Sequence, residues 1–287
     1  MLSIAIPVYN YNILPLVERL HQEASSLNIP FEILVCDDAS TMQFQNQTIS
    51  RLSHTRFLQN SINQHVASTR NRLLKEAQYP WVLLLDADVF PLSETFVQTY
   101  IDQVNTGSFI QGGFTYQPTA KGVPQSLRET YGLKIEQYKH LHSCCNLFFN
   151  QRELQLEFDA TIQTYGYEDT QFFLQLQQRN IEVRRIKNPV LHRSTESNAA
   201  YLARTKEACT VLAKLIEDQK IQAEDVQLSK LYKKLKNNNL TPLITGVQTV
   251  FGGLISRNLL GKKPSMLAYK LFKLIAFHQA SLEIQKK

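Results

Sequence analysis

Apolar residues alternate between short unbroken runs and helical stripes along the first half of the chain. Residues 2–8 form an apolar run closed by Pro7, Asn10 and Asn12, which predicts a buried strand. Leu14, Val17, Leu20, Ala24 and Leu27 then recur at helical spacing, with Pro15 tolerated in the first turn. Residues 31–36 predict a second strand that runs into Asp37-Asp38-Ala39-Ser40, and residues 56–59 a short third one. A helix over 65–77 follows. Residues 80–85 are the most apolar run and end at Asp86-Ala87-Asp88; a helix over 93–104 comes next, with Ser93 as its N-cap. Strands separated by helices imply an α/β protein with a largely parallel sheet, and apolar strands imply a sheet covered on both faces. Such sheets bind ligands beyond the carboxyl ends of their strands. Asn10, Asp37, Asp38, Asp86 and Asp88 all fall there.

The middle is less regular. Residues 108–116 predict a strand in which Gly112-Gly113 marks a bend or a close backbone approach. A turn-rich loop over 117–124, a helix over 128–140 and a strand over 144–150 follow. Tyr165-Gly166-Tyr167-Glu168-Asp169 leads into a helix that reaches Gln178, and 182–186 predicts another strand. From Asn198 the pattern is helical, with Leu202, Cys209, Leu212, Leu215 and Ile216 as an apolar stripe, and Asn237-Asn238-Asn239 breaks it. These patterns place a boundary near residue 200, between a first part, 1–200, and a mainly helical extension, 201–287.

Composition narrows the classes. Apolar residues make up 43% and charged residues 20% of 287, so a mainly disordered chain is excluded. The formal net charge is +6, which alone points toward nucleic acid. Its distribution argues otherwise. Residues 230–287 hold 11 Lys and Arg and one acid, a net of +10, while the first 229 residues carry −4. The basic segment is mostly Lys with a single Arg, unlike an Arg-rich, aromatic-interleaved nucleic-acid arm, so no nucleic-acid partner is expected. No basic leader precedes the first apolar run, and the longest uncharged stretch, 237–256, is too polar for a membrane span. Cys36, Cys144, Cys145 and Cys209 form no CxxC pair and read as reduced thiols in a cytoplasmic protein.

Several side chains carry candidate chemistry. In a strand-end turn, Asp86 and Asp88 can turn carboxylates toward one point and hold Mg²⁺ or Mn²⁺, or they are solvated turn acids. Asp37 and Asp38 can accept from a ribose hydroxyl or a base N–H, or close an Asx turn. Asn63, Arg70 and Asn71 share one segment; Arg70 can neutralise a phosphate, hold an acidic neighbour or form a surface salt bridge. Glu168 and Asp169 open a helix, whose N-terminus favours an ionised carboxylate, suited to taking a proton from a hydroxyl or to simple capping. His192, after a short extended run, can ligate the same cation, contact a diphosphate or simply be hydrogen-bonded.

Pro7-Val8-Tyr9-Asn10, Asp37-Asp38-Ala39-Ser40, Asn63 with Arg70-Asn71, Asp86-Ala87-Asp88 and Glu168-Asp169 stand in the order and spacing of family 2 glycosyltransferases. Over residues 1 to 195 the chain resembles that family, whose nucleotide-binding fold is of the GT-A type. The resemblance implies that Pro7, Tyr9, Asn10, Asp37 and Asp38 cradle the nucleoside and that Asn63 and Arg70 support the nucleotide and diphosphate. It implies Asp86 toward ribose or metal, Asp88 as the main ligand of Mn²⁺ or Mg²⁺, and His192 on metal or diphosphate. Asp169 becomes the general base, Glu168 helps to place the acceptor, and Asn146 lies on the acceptor side. His65 stands where the family often has Gly, and Thr69 where it often has Ala.

The implied activity is inverting, metal-dependent transfer of a sugar from a nucleotide-diphosphate donor, expected to be UDP-linked, to a hydroxyl of a glycan or lipid-linked acceptor in polysaccharide biosynthesis. A processive synthase is not expected, because the Gln-x-x-Arg-Trp motif is missing and Trp81 is the single Trp. A pyrophosphorylase would need a Gly-rich loop after the first strand, and a dinucleotide oxidoreductase a GxGxxG motif; neither is present. The alternative is an inactive sugar-nucleotide-binding or scaffold protein of the same fold. Met266, Leu267, Leu271, Phe272, Leu274, Ile275 and Phe277 with Lys262, Lys263, Lys270 and Lys273 form a basic apolar segment. It reads either as a solvated helical face or as a peripheral anchor on the anionic inner face of the cell membrane.

Overall fold

The computed structural model describes residues 1–104, 109–116, 126–136, 142–193 and 196–285. The expected loop over 117–124 and the ends of the strand over 108–116 and of the helix over 128–140 lie outside them. The chain forms two compact units. The first comprises Met1–Gln117, Leu141–Gln163 and Glu168–Arg193, and the second Pro118–His140, Thr164–Tyr167 and Ser194–Lys287.

In the first unit, β1 (Leu2–Val8), α1 (Leu14–Ser26), β2 (Phe31–Asp37), a 3₁₀ turn, β3 (Thr55–Gln59), α2 (His65–Glu76) and β4 (Trp81–Leu85) follow the alternation read from the sequence. Then come β5 (Val89–Pro91), α3 (Phe96–Ile101), β6 (Phe109–Gln111) and β7 (Phe114–Tyr116). Helix α4 (Leu127–Lys134) belongs to the second unit, and the first resumes with β8 (Asn146–Asn150), α5 (Gln151–Leu154), α6 (Glu168–Gln178), β9 (Val183–Arg185) and β10 (Val190–His192).

Seven strands form one sheet in the order β3-β2-β1-β4-β8-β6-β9. The pairings β3·β2, β2·β1, β1·β4 and β6·β9 are parallel, while β8 runs antiparallel to β4 and β6. The sheet is therefore α/β and mostly parallel. Alternate residues enter opposite cores. Ile4, Ile6, Ile33, Val35, Leu83 and Leu85 pack with α1 and α3, and Ala5, Leu34, Cys36, Val82 and Leu84 pack with α2 and α6. Burial on both faces is why these strands read as unbroken apolar runs.

A smaller sheet, β5-β10-β7, takes in the end of the strand expected over 108–116 and the extended run before His192, while β5 and the pairing of the three were not legible in the sequence. Its strands have three residues each, too short for a periodic pattern. The N-cap expected at Ser93 is also corrected. The N–H groups of Val97 and Gln98 donate to Oε1 of buried Glu23 on α1, at 2.6 and 3.2 Å. A carboxylate from another helix satisfies the donors that a local cap would have taken.

The second unit is helical: α4 opens on a capping box between Ser126 and Glu129, and α7 (Asn198–Glu217), α8 (Gln227–Asn237), α9 (Thr241–Leu260) and α10 (Met266–Ile284) follow. Tyr201 and Tyr269 stack at 5.7 Å between ring centroids. His278 on α10 meets Tyr232 of α8 at 3.0 Å and Thr245 of α9 at 3.2 Å. Phe272, Ile275 and Phe277, part of the basic apolar segment read as a solvated face or a membrane anchor, are buried in this unit, whereas Leu267 is exposed. The helical spacing of the first three fills a core.

Candidate functional site

The parallel pairing of β2, β1 and β4 brings their carboxyl ends to one edge of the sheet, so the loops after Val8, Asp37 and Leu85 lie side by side. Asn10, in the left-handed region at φ 52°, pins two of these loops together. Its Oδ1 accepts from the N–H groups of Thr41 and Met42, both at 2.8 Å, and its own N–H donates to Ser40 Oγ at 2.8 Å. Asp37 Oδ1 accepts from the N–H of Ser40, three residues on, at 2.7 Å. Asp38 is buried; its Oδ1 accepts from Asn60 Nδ2 at 2.7 Å and from the Gln64 N–H at 2.8 Å. Tyr9 is exposed beside them, and Pro7 lies within β1.

Asn60 also donates to Thr69 Oγ1 at 3.1 Å. The hydroxyl that replaces the expected Ala thus joins the hydrogen bonds around Asp38. His65, in place of the expected Gly, sits at φ 65°, a conformation that disfavours side chains. Asn63 Oδ1 accepts from its N–H at 3.0 Å and fixes the turn that starts α2.

Buried Arg70 on α2 gathers the acids. Its two terminal nitrogens donate to Asp86 Oδ1 at 2.7 Å and to Asp169 Oδ1 at 2.8 Å, and its guanidinium lies 5.1 Å from the centre of the Phe158 ring. Of the readings open for Arg70, this geometry is the hold on acidic neighbours. Asp169 Oδ2 accepts from the Cys144 N–H at 2.9 Å, so both its oxygens are oriented. Neighbouring Glu168 is buried, and its carboxyl is pushed up to about 7, first by loss of solvent and then by the Asp169 charge. Asn71 exchanges two hydrogen bonds with the Phe158 backbone, at 2.7 and 2.8 Å.

Asp88 meets His192 through the small sheet. In the antiparallel pairing of β10 with β5, His192 stands opposite Val89, and the Arg193 N–H donates to the Asp88 carbonyl at 2.8 Å. Asp88 Oδ2 and His192 Nε2 come within 3.4 Å. His192 Nδ1 is buried without a hydrogen-bond partner, and the Tyr116 ring packs against the imidazole at 5.3 Å between centroids. A carboxylate oxygen and an imidazole nitrogen at that separation suit two neighbouring ligands of one octahedral cation. Among the described residues no group of three or more His, Cys, Asp and Glu side chains is arranged to hold a metal, so other ligands would complete the shell.

Asn146 stands opposite Leu85 in the sheet, next to Asp86. It is buried, its Nδ2 donates to the carbonyls of Gly113 and Asn188, both at 2.9 Å, and its Oδ1 accepts from the Tyr100 hydroxyl at 2.5 Å. Its amide is engaged inside the protein, which corrects the acceptor-side expectation to a structural one. Sequence reading missed Tyr11, Arg193 and the Cys144 N–H. Partial burial pushes the Tyr11 phenol up, and so does the Asp88 charge, which Arg193 opposes, so all three lie in one field. The Arg193 guanidinium stacks 4.5 Å over Phe90. Only the proximity of Arg193 to His192 in the chain was available as a signal.

An open, mostly parallel sheet with acids gathered at the carboxyl ends of its strands defines an α/β protein of the nucleotide-binding type. The model of glycosyl transferase family 2 matches residues 3–154, more than half of the chain. The chain belongs to this family and is a glycosyltransferase with the GT-A fold. No curated protein sequence matches it. Among solved structures it is similar to the mannosyltransferase PcManGT from Pyrobaculum calidifontis in complex with GDP-Man and Mn²⁺. There identity is 14%, coverage 98% of this chain and 86% of that one, and the TM-score 0.58. It is also similar to S. aureus TarS 1–349 in complex with UDP-GlcNAc, with 18% identity, 99% and 91% coverage and a TM-score of 0.51. At such identities the likeness is one of fold.

Proposed function

We propose that this glycosyltransferase moves a hexosyl group from a nucleotide-diphosphate sugar to a hydroxyl of a glycan or lipid-linked acceptor, with inversion at the anomeric carbon and with Mn²⁺ or Mg²⁺. The donor is UDP-linked, and an anionic membrane surface is a partner of the basic C-terminal part. The observation that carries the reading is the Arg70 fork, which holds Asp86 and Asp169 together at 2.7 and 2.8 Å. Solved structures with the same fold carry UDP-GlcNAc or GDP-Man, the latter with Mn²⁺.

Asp38, with Pro7, Tyr9, Asn10, Asp37 and Asn63, forms the nucleoside side of the site. Asp88 and His192 would hold the cation. A bound divalent cation offsets the charge that develops on the leaving diphosphate. Arg193, held beside Asp88 and stacked on Phe90, adds a second positive charge there. Asp169 accepts the proton of the attacking hydroxyl, while Arg70 and the Cys144 N–H keep its carboxylate in position. Glu168 lies beside it toward the acceptor. One displacement needs no covalent enzyme intermediate, and its stereochemical outcome is inversion.

A donor screen reads the proposal directly. The wild-type chain should turn over a UDP-sugar with Mn²⁺ and lose turnover in EDTA. Asp169→Asn should abolish transfer and leave donor affinity within about two-fold, because the base acts in the transition state. Wild-type turnover by Asp169→Asn would overturn the assignment.

A further inference from the structure

Helix α9 carries apolar side chains on two faces, and one of these faces is covered. Ile244, Ile255 and Leu259 are buried in the helical unit. On the other side Leu243, Val250, Phe251 and Leu254 are 62%, 68%, 50% and 63% exposed. At 100° per residue these four, with half-buried Val247 between them, fall within one stripe about 100° wide. An exposed stripe of large apolar residues marks an interaction surface.

Charge tells what covers it. Within α9 Arg257 is the single charged residue, one turn beyond Leu254. Exposed Lys234 and Lys236 precede the helix, and exposed Lys262 and Lys263 follow it. No acidic residue occurs between Asp225 and Glu283. A second copy on a two-fold axis would bring these cations against themselves, which is repulsive. An anionic bilayer offers both an apolar interior for the stripe and negative headgroups for its basic ends. Among the described residues no helix is long and apolar enough to cross a membrane, so α9 would lie on the surface.

We infer that α9 is the membrane-docking element. Its Leu243, Val250, Phe251 and Leu254 enter the acyl boundary of an anionic leaflet, and Lys234, Lys236, Arg257, Lys262 and Lys263 meet the headgroups. The inference rests on the reading of an anionic membrane as a partner. It moves the contact from the α10 segment, whose Phe272, Ile275 and Phe277 are buried, to α9.

Flotation of the full chain with vesicles of phosphatidylserine and phosphatidylcholine at about 3:7 tests it. The wild type should float, float at least about ten-fold less with phosphatidylcholine alone, and be released by high salt. Val250→Ser/Phe251→Ser/Leu254→Ser should lose at least about ten-fold in partition while keeping wild-type donor turnover in solution, which shows that it is folded. Lys262→Glu/Lys263→Glu should weaken binding and its salt dependence. If the wild type floats and the triple-serine variant floats equally, the placement on α9 is wrong although the membrane partner stands. If the wild type never floats, the membrane reading fails as well. A wild-type dimer that the triple-serine variant makes monomeric would show a second copy on the stripe and overturn the proposal.

Discussion

Glu168 shows how one buried side chain can couple folding to pH. Its carboxyl, pushed up from the usual 4.5 to about 7 by loss of solvent, is protonated in the folded chain over a range in which the unfolded chain has released the proton. The resulting stabilisation is complete below the unfolded value near 4.5 and is lost as pH rises through about 7. Thermal melts of the wild type and of Glu168→Gln across that window should therefore diverge, the wild type losing stability relative to the variant. Parallel curves would show that Glu168 titrates normally. The acids at 86, 88, 168 and 169 were legible in the sequence as motifs. Their engagement was not, because Arg70, the Cys144 N–H and His192 reach them from distant segments.

At the scale of elements, short pieces of backbone carry the site. Gly112 lies between β6 and β7, where a Cβ would overlap the Tyr100 hydroxyl and stand 2.5 Å from Asn146 Nδ2 and 2.8 Å from the Asn188 carbonyl. The carbonyl is backbone and cannot swing away, so Gly112→Ala should cost at least about 1–3 kcal/mol. A urea titration that finds the midpoint unmoved would show that the approach is not tight. The same packing explains why Asn146 is structural: it ties β8 to the backbone around Gly113 and Asn188. The larger strands and α2 were readable from period and composition. Strand β5 and the pairing of β5, β7 and β10 into a second sheet were not, since three residues pair only where the rest of the fold holds them. They are also what sets His192 beside Asp88.

For the whole molecule, the four cysteines report on both units. Cys36, Cys144, Cys145 and Cys209 are free and buried, and burial pushes Cys36 and Cys209 up to about 11 and 12. Little thiolate is exposed near neutral pH. The native chain should show no fast-reacting thiol toward an aromatic disulfide reagent, and all four should react once it is denatured. A rapid native equivalent would mean that one of the buried segments opens readily.

The net +6 of the chain is likewise a sum of unlike parts, −4 over the first 229 residues and +10 beyond them. The sequence alone determined the α/β class, the family and the acids at the strand ends, because periodicity and short motifs are properties of neighbouring residues. Only the tertiary structure decided that Arg70 binds two of those acids, that Asn146 faces inward, and that Phe272, Ile275 and Phe277 of α10 are core while Leu243, Val250, Phe251 and Leu254 of α9 meet solvent. Helical spacing gives each helix its apolar faces, and packing alone chooses which face is covered.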